Sequence, residues 1–114
     1  MPAAVRTAAL AALLAAGVDD GHVAIAFVAE DEIRRLNAEH RGRDEPTDVL
    51  SFPVDGSGPA TGPRELGDVF VCPERSHDVV EVVVHGVLHL CGYDHEADTG
   101  EMLALQDRVM ASLR

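Results

Sequence analysis

His85-Gly86-Val87-Leu88-His89-Leu90-Cys91-Gly92-Tyr93-Asp94-His95 is the stretch that decides the fold. On a helix, residues four apart share one face, one turn above the other. His85 and His89 can then aim two imidazoles at one point. On a strand the same pair would stand too far apart for a single ion, since zinc takes its nitrogens at ~2.0–2.1 Å. The spacing therefore predicts a helix here. It extends that reading to Val79-Val80-Glu81-Val82-Val83-Val84, whose composition by itself has strand propensity. Gly92 suits the left-handed turn that ends a helix, and such a turn can bring His95 back to the same point. Three imidazoles hold one zinc ion and leave one position open, as in a catalytic zinc site, where a water can become a nucleophile near neutral pH.

A lone histidine on an apolar helix is usually a hydrogen-bonded core residue. Three histidines at i, i+4 and i+10, with a glycine between the last two, are hard to assign to packing. His22, His40 and His77 have no such partners and read as surface residues. The pattern His-x-x-x-His-x-x-Gly-x-x-His also occurs in metzincin peptidases, where a glutamate directly after the first histidine is the general base. Here that position is Gly86, which has no side chain, so a peptidase using that base is disfavoured.

Outward from this segment the chain alternates helix and strand signals. Residues 3–16 are alanine-rich, with Leu10, Leu13 and Leu14 at helical spacing and Gly17 placed to cap the end. Arg6 and the apolar run after it resemble a short signal peptide in outline, but a core helix fits better. Residues 22–28 read as a strand. Glu30-Asp31-Glu32 opens a second helix whose dipole the acids suit, with Ile33 and Leu36 facing inward. Residues 48–52 and 66–72 read as strands stopped by Pro53 and Pro73. Residues 55–63 read as a loop between them. Residues 98–113 read as a helix with Met102, Leu105, Val109 and Leu113 on one side. The expectation is an α+β fold: one domain over residues 1–114, a small mixed sheet packed with helices, and the metal site on a helix and the turn after it.

Composition narrows the function. The 114 residues carry 46% hydrophobic and 25% charged side chains, ordinary values for a globular chain. No apolar run reaches the ~18 residues that suggest a membrane span. Cys72 and Cys91 make no disulfide framework, which points to a reducing cytoplasm with both cysteines as small apolar residues. The net charge of −11 excludes a broad basic surface for nucleic acid. It leaves room for a local arginine patch beside a bound cation, and all nine basic residues are arginine.

Three blocks resemble the YbeY family of metal-dependent endoribonucleases, the ribosomal-RNA maturation factors. They are Leu36-Asn37 with Arg41-Gly42 and Pro46-Thr47-Asp48-Val49-Leu50-Ser51-Phe52-Pro53; Leu66-Gly67-Asp68-Val69-Phe70-Val71-Cys72; and the histidine segment. The resemblance implies a cytoplasmic enzyme that cuts single-stranded RNA in small-subunit ribosomal-RNA maturation and ribosome quality control. It implies zinc ligation by His85, His89 and His95 and a required arginine at Arg41. The family usually has a strand before its first helix and a longer, partly helical segment before the first zinc histidine. This chain starts at the helix and has only residues 73–84 in that segment, which bears on stability and substrate grip more than on metal binding.

The expected mechanism is hydrolysis of an RNA phosphodiester, with zinc and Arg41 neutralising the developing charge. His85 and Arg41 are the expected catalytic residues, and Arg43 is a possible addition to the same patch. Asp48, Asp68 and Asp94 are candidate general bases. Asp94 has the alternative role of orienting a ligand imidazole, and Asp48 that of capping or turning the backbone. Ser51 could contact phosphate or simply occupy its strand. Two other readings compete: a metal-binding ribosome-associated factor without turnover, and a metzincin-like metallopeptidase with a different base.

Overall fold

A computed structural model describes residues 2–18, 21–54 and 64–113. In chain order the elements are α1 (Ala3–Ala15), β1 (Gly21–Phe27), α2 (Glu30–Arg41), β2 (Val49–Pro53), β3 (Arg64–Val71), a 3-10 turn (Pro73–Arg75), α3 (Val79–Leu90) and α4 (Glu101–Leu113). The sheet order is β1-β3-β2. β1 runs parallel to β3 and β2 antiparallel to it, so the sheet is small and mixed as expected. The segment 55–63, expected to be a loop, lies outside the described residues.

Alternation along the strands divides the core between the two sheet faces. Val69 and Val71 join α1, α3 and α4 on one face. Leu50 joins Ile33 and Leu36 of α2 on the other, with Phe52 and Phe70 beside them. α3 lies between the sheet and the two helices α1 and α4. That position explains its valines: Val82, Val83, Val84, Val87 and Leu88 are all buried, and a helix that is apolar nearly all round is a buried one. Its start is fixed locally, because the Asp78 carboxylate accepts the backbone N–H of Val80 and Glu81 at 3.0 and 3.3 Å. The short connection from β3 is thus a 3-10 turn followed by a capped helix.

At Gly86 α3 packs close against the sheet. A Cβ there would lie 2.7 Å from Val69 Cγ1 and 3.0 Å from Val49 Cγ2. The Ser51 hydroxyl donates to the Gly86 carbonyl at 2.9 Å and ties β2 to the same point. Ser51 therefore acts as a bracket between strand and helix.

Some boundaries and faces differ from expectation. Leu10 and Leu14 are 54% and 71% exposed. The buried face of α1 is instead Val5, Ala8, Ala9, Ala12 and Leu13, because small alanines let this helix approach α3 closely. β2 includes Pro53, which an edge strand tolerates. α4 starts at Glu101, after Asp98: the Asp98 carboxylate accepts the N–H of Gly100 and Met102 at 2.8 and 2.9 Å, so it caps the helix from outside.

Candidate metal centre and its groove

α3 ends with a pair of hydrogen bonds that reverse the chain. The N–H of Gly92 donates to the His89 carbonyl at 3.0 Å, and that of Tyr93 to the Leu88 carbonyl at 3.1 Å. Gly92 has φ +98°, a value that side-chain-bearing residues rarely adopt. The turn returns His95 to the face bearing His85 and His89. One ring nitrogen from each of the three lies within 4.8 Å of the others. The ring centroids are 4.7, 5.0 and 5.3 Å apart.

The hydrogen bonds around the rings test whether this trio fits a cation. His85 Nδ1 lies 2.7 Å from Gln106 Oε1, and His89 Nδ1 lies 3.0 Å from the Tyr93 carbonyl oxygen. Both partners can only accept, so each Nδ1 donates and each neutral ring keeps its lone pair on Nε2. The two Nε2 atoms face each other at 3.2 Å. Two lone pairs at that distance repel unless a cation sits between them. The separation is close to the roughly 3.3 Å expected of two nitrogens at ~2.0–2.1 Å from a tetrahedral zinc. His95 adds a buried Nδ1 with no hydrogen-bond partner among the described residues, as suits a site completed by a group outside the protein. The donor set fits zinc.

Burial, and then the proximity of His85, pushes the His89 pKa below the ordinary 6.5. His89 is therefore neutral near pH 7, as a ligand must be. The sign of the linkage follows. Below about 6.5 the unfolded chain takes up a proton that the folded chain resists, so metal-free stability falls as pH drops through that window and is flat above it. The urea midpoint of metal-free protein should decline between pH 7 and 5.5, and less steeply in His89→Ala. Equal slopes would contradict this.

The trio opens onto a groove of about 800 Å³. Its walls are β2, the end of α2 with His40 and Arg41, and the turn with Tyr93, Asp94 and His95. Sequence reasoning brought the three histidines and Arg41 to one place, and the fold does the same. It also puts Asp48 and Asp94 in the groove. Arg43 and Asp68 are not among the lining residues. Asp68 shares the α2-facing side of β3 with Phe70, two residues on, which is the sheet face away from α3. Asp94 does not orient an imidazole; its carboxylate accepts the N–H of Glu96 at 3.0 Å and shapes the turn.

The imidazoles are oriented by two groups that the sequence reading missed, Gln106 and the Tyr93 carbonyl. Gln106 had left a signal, being a polar residue on the inward stripe of α4 beside Met102, Leu105 and Val109. His40, read as a surface residue, is exposed; it also lines the groove, with its ring centroid 4.7 Å from that of Phe52.

The sequence profile described as Endoribonuclease YbeY matches residues 3–114. The chain belongs to the YbeY family. A relative from Persephonella marina named Endoribonuclease YbeY is 35% identical over 113 residues, covering 85% of this chain and 73% of the relative. One of the same name from Alkalilimnicola ehrlichii is 43% identical over 122 residues, covering 91% and 73%. A solution structure of a Thermotoga maritima protein has a TM-score of 0.58 and 32% identity, covering 96% of this chain and 81% of that one. The α+β architecture is therefore a YbeY-family fold. No helix among the described residues is long and apolar enough to cross a membrane.

Proposed function

We propose that this chain is a zinc-dependent endoribonuclease for single-stranded RNA, acting in the cytoplasm on ribosomal RNA of the small subunit in maturation and quality control. One observation carries the reading: three imidazole nitrogens within 4.8 Å open onto the groove that Arg41 also lines. The family name carries the substrate class. His85, His89 and His95 hold the ion. When bound, zinc supplies Lewis-acid charge and activates water near neutral pH. That charge matters in a chain of net charge −11, whose overall field repels a polyanion.

Arg41 supplies the second positive group. Arg34 and Arg35 are engaged by Asp44, Glu32 and Glu39; among the described residues Arg41 makes no such pair. Its planar fork is free to take two phosphate oxygens. Asp48 and Asp94 both line the groove as candidate general bases; each carboxylate already accepts one hydrogen bond, Asp48 from the Thr47 hydroxyl at 3.3 Å and Asp94 from the N–H of Glu96 at 3.0 Å. The His40 and Phe52 rings support a single-strand preference, since unpaired bases stack on such surfaces.

Replacing Arg41 by alanine should lower kcat/KM for RNA by on the order of 10²–10³-fold, the usual cost of a lost charge-stabilising donor. Zinc content should not change, and stability should shift by less than about 0.5 kcal/mol, since the side chain is exposed. Full activity in Arg41→Ala would remove it from the mechanism. Incubating the zinc-loaded protein with single-stranded RNA, the same RNA as duplex, and casein tests the substrate class. Cleavage of the single strand alone is expected. Casein degradation would favour the peptidase, and co-sedimentation with small ribosomal subunits without any cleavage would favour the binding factor.

A further inference from the structure

Among the described residues Gln106 is one of only two buried polar side chains, at 7% exposure. It sits on the inward stripe of α4 among Met102, Leu105, Val109 and Met110, where an apolar residue would pack at no polar cost. Its amide lies between two groups on α3. Oε1 is 2.7 Å from His85 Nδ1, and Nε2 is 3.5 Å from Glu81 Oε1. Glu81 lies four residues before His85, on the same helix face.

The chemistry of the three groups runs in one direction. An ionised carboxylate only accepts hydrogen bonds, so Glu81 draws the NH2 end of the amide toward itself. The carbonyl end then faces His85 and can only accept. His85 must carry its proton on Nδ1, and its lone pair is left on Nε2, the atom facing His89. Reversing the amide would place a donor against Nδ1, move the ring proton to Nε2 and remove the lone pair from the trio. We propose that Gln106, oriented by Glu81, is a positioning residue that selects the Nδ1–H tautomer of His85 and presents Nε2 to the metal. This rests on the reading of His85 as a ligand.

The test uses metal-free protein and cobalt(II) or zinc added alone. Imidazole 15N shifts of the metal-free wild type should report His85 protonated on Nδ1. In Gln106→Leu the His85 signal should move toward a tautomer mixture, and affinity for both metals should fall roughly 10–100-fold, as when an outer partner of a ligand is lost. The double variant Glu81→Gln/Gln106→Glu exchanges the amide and the carboxylate. The new amide can still donate to the new carboxylate, and that carboxylate still accepts from His85, so affinity should recover. Packing alone would predict no tautomer change and no recovery.

Wild-type affinity in Gln106→Leu, with His85→Ala unable to bind metal, would overturn the proposal and leave the ligand set intact. Wild-type affinity in His85→Ala would overturn the ligand set itself. If Gln106→Leu does not fold, the wild-type 15N spectrum decides: a His85 protonated on Nε2 contradicts the proposal.

Discussion

His89→Ala should bind zinc on the order of 10³-fold more weakly than wild type and lose RNA cleavage to the same or a greater degree. The size follows from what is removed. Loss of an outer partner costs about 10–100-fold in affinity, and loss of a direct ligand from a set of three costs more. The fold should survive, because His89 lies at the groove and is only half-buried. Its removal leaves the Tyr93 carbonyl without a donor but also relieves the crowding of two Nε2 lone pairs at 3.2 Å. Thermal melting separates these effects. At a free zinc concentration 1,000 times the wild-type Kd, binding adds about 4 kcal/mol, or roughly 15 °C for a chain of this size. The variant should show the metal-free wild-type Tm within a few degrees and almost no upward shift with zinc. A variant that keeps the shift would remove His89 from the site.

Gly86→Glu should abolish folding and create no peptidase. Residue 86 stands where a metzincin carries its general base, so the substitution restores that motif on paper. In this fold the position faces the sheet. A Cβ alone would press on Val69 and Val49, and neither branched side chain has a flexible end to move aside. Gly86→Ala isolates the first step. The helix gains up to about 1 kcal/mol from alanine, while overpacking costs about 1–3 kcal/mol. A net loss of up to about 2 kcal/mol is expected, visible as a lower urea midpoint. Glutamate adds a buried, unpaired carboxylate, which costs several kcal/mol more and approaches the whole stability of a small domain. A gain of stability in Gly86→Ala would mean that α3 and the sheet are not in close contact there.

These two positions also mark what can be read from the sequence. The His85-His89-His95 spacing implied the helix, the glycine turn and the convergence of three rings, because all of that lies within one local segment. It predicted a helix against the strand propensity of the valines, and Val79–Leu90 is a helix. Gly86 was read as a missing base; its contact with Val69 and Val49 needed the tertiary fold. Gln106 is 21 residues from His85, and no local period connects them. Asp68 was read as a candidate base; alternation along β3 puts it on the sheet face away from α3, and it is not among the residues lining the groove. Leu10, Leu13 and Leu14 were read at helical spacing; of the three only Leu13 is buried, and Val5, Ala8, Ala9 and Ala12 complete the face.

The most direct test is one preparation carried through metal analysis and an RNA cleavage assay. Purified protein should contain one zinc ion per chain and cut single-stranded RNA. Chelator should stop the cutting, and added zinc should restore it. Undiminished cleavage by metal-free protein, or a full zinc complement with no cleavage of any RNA, would contradict the assignment of the three histidines to a catalytic metal.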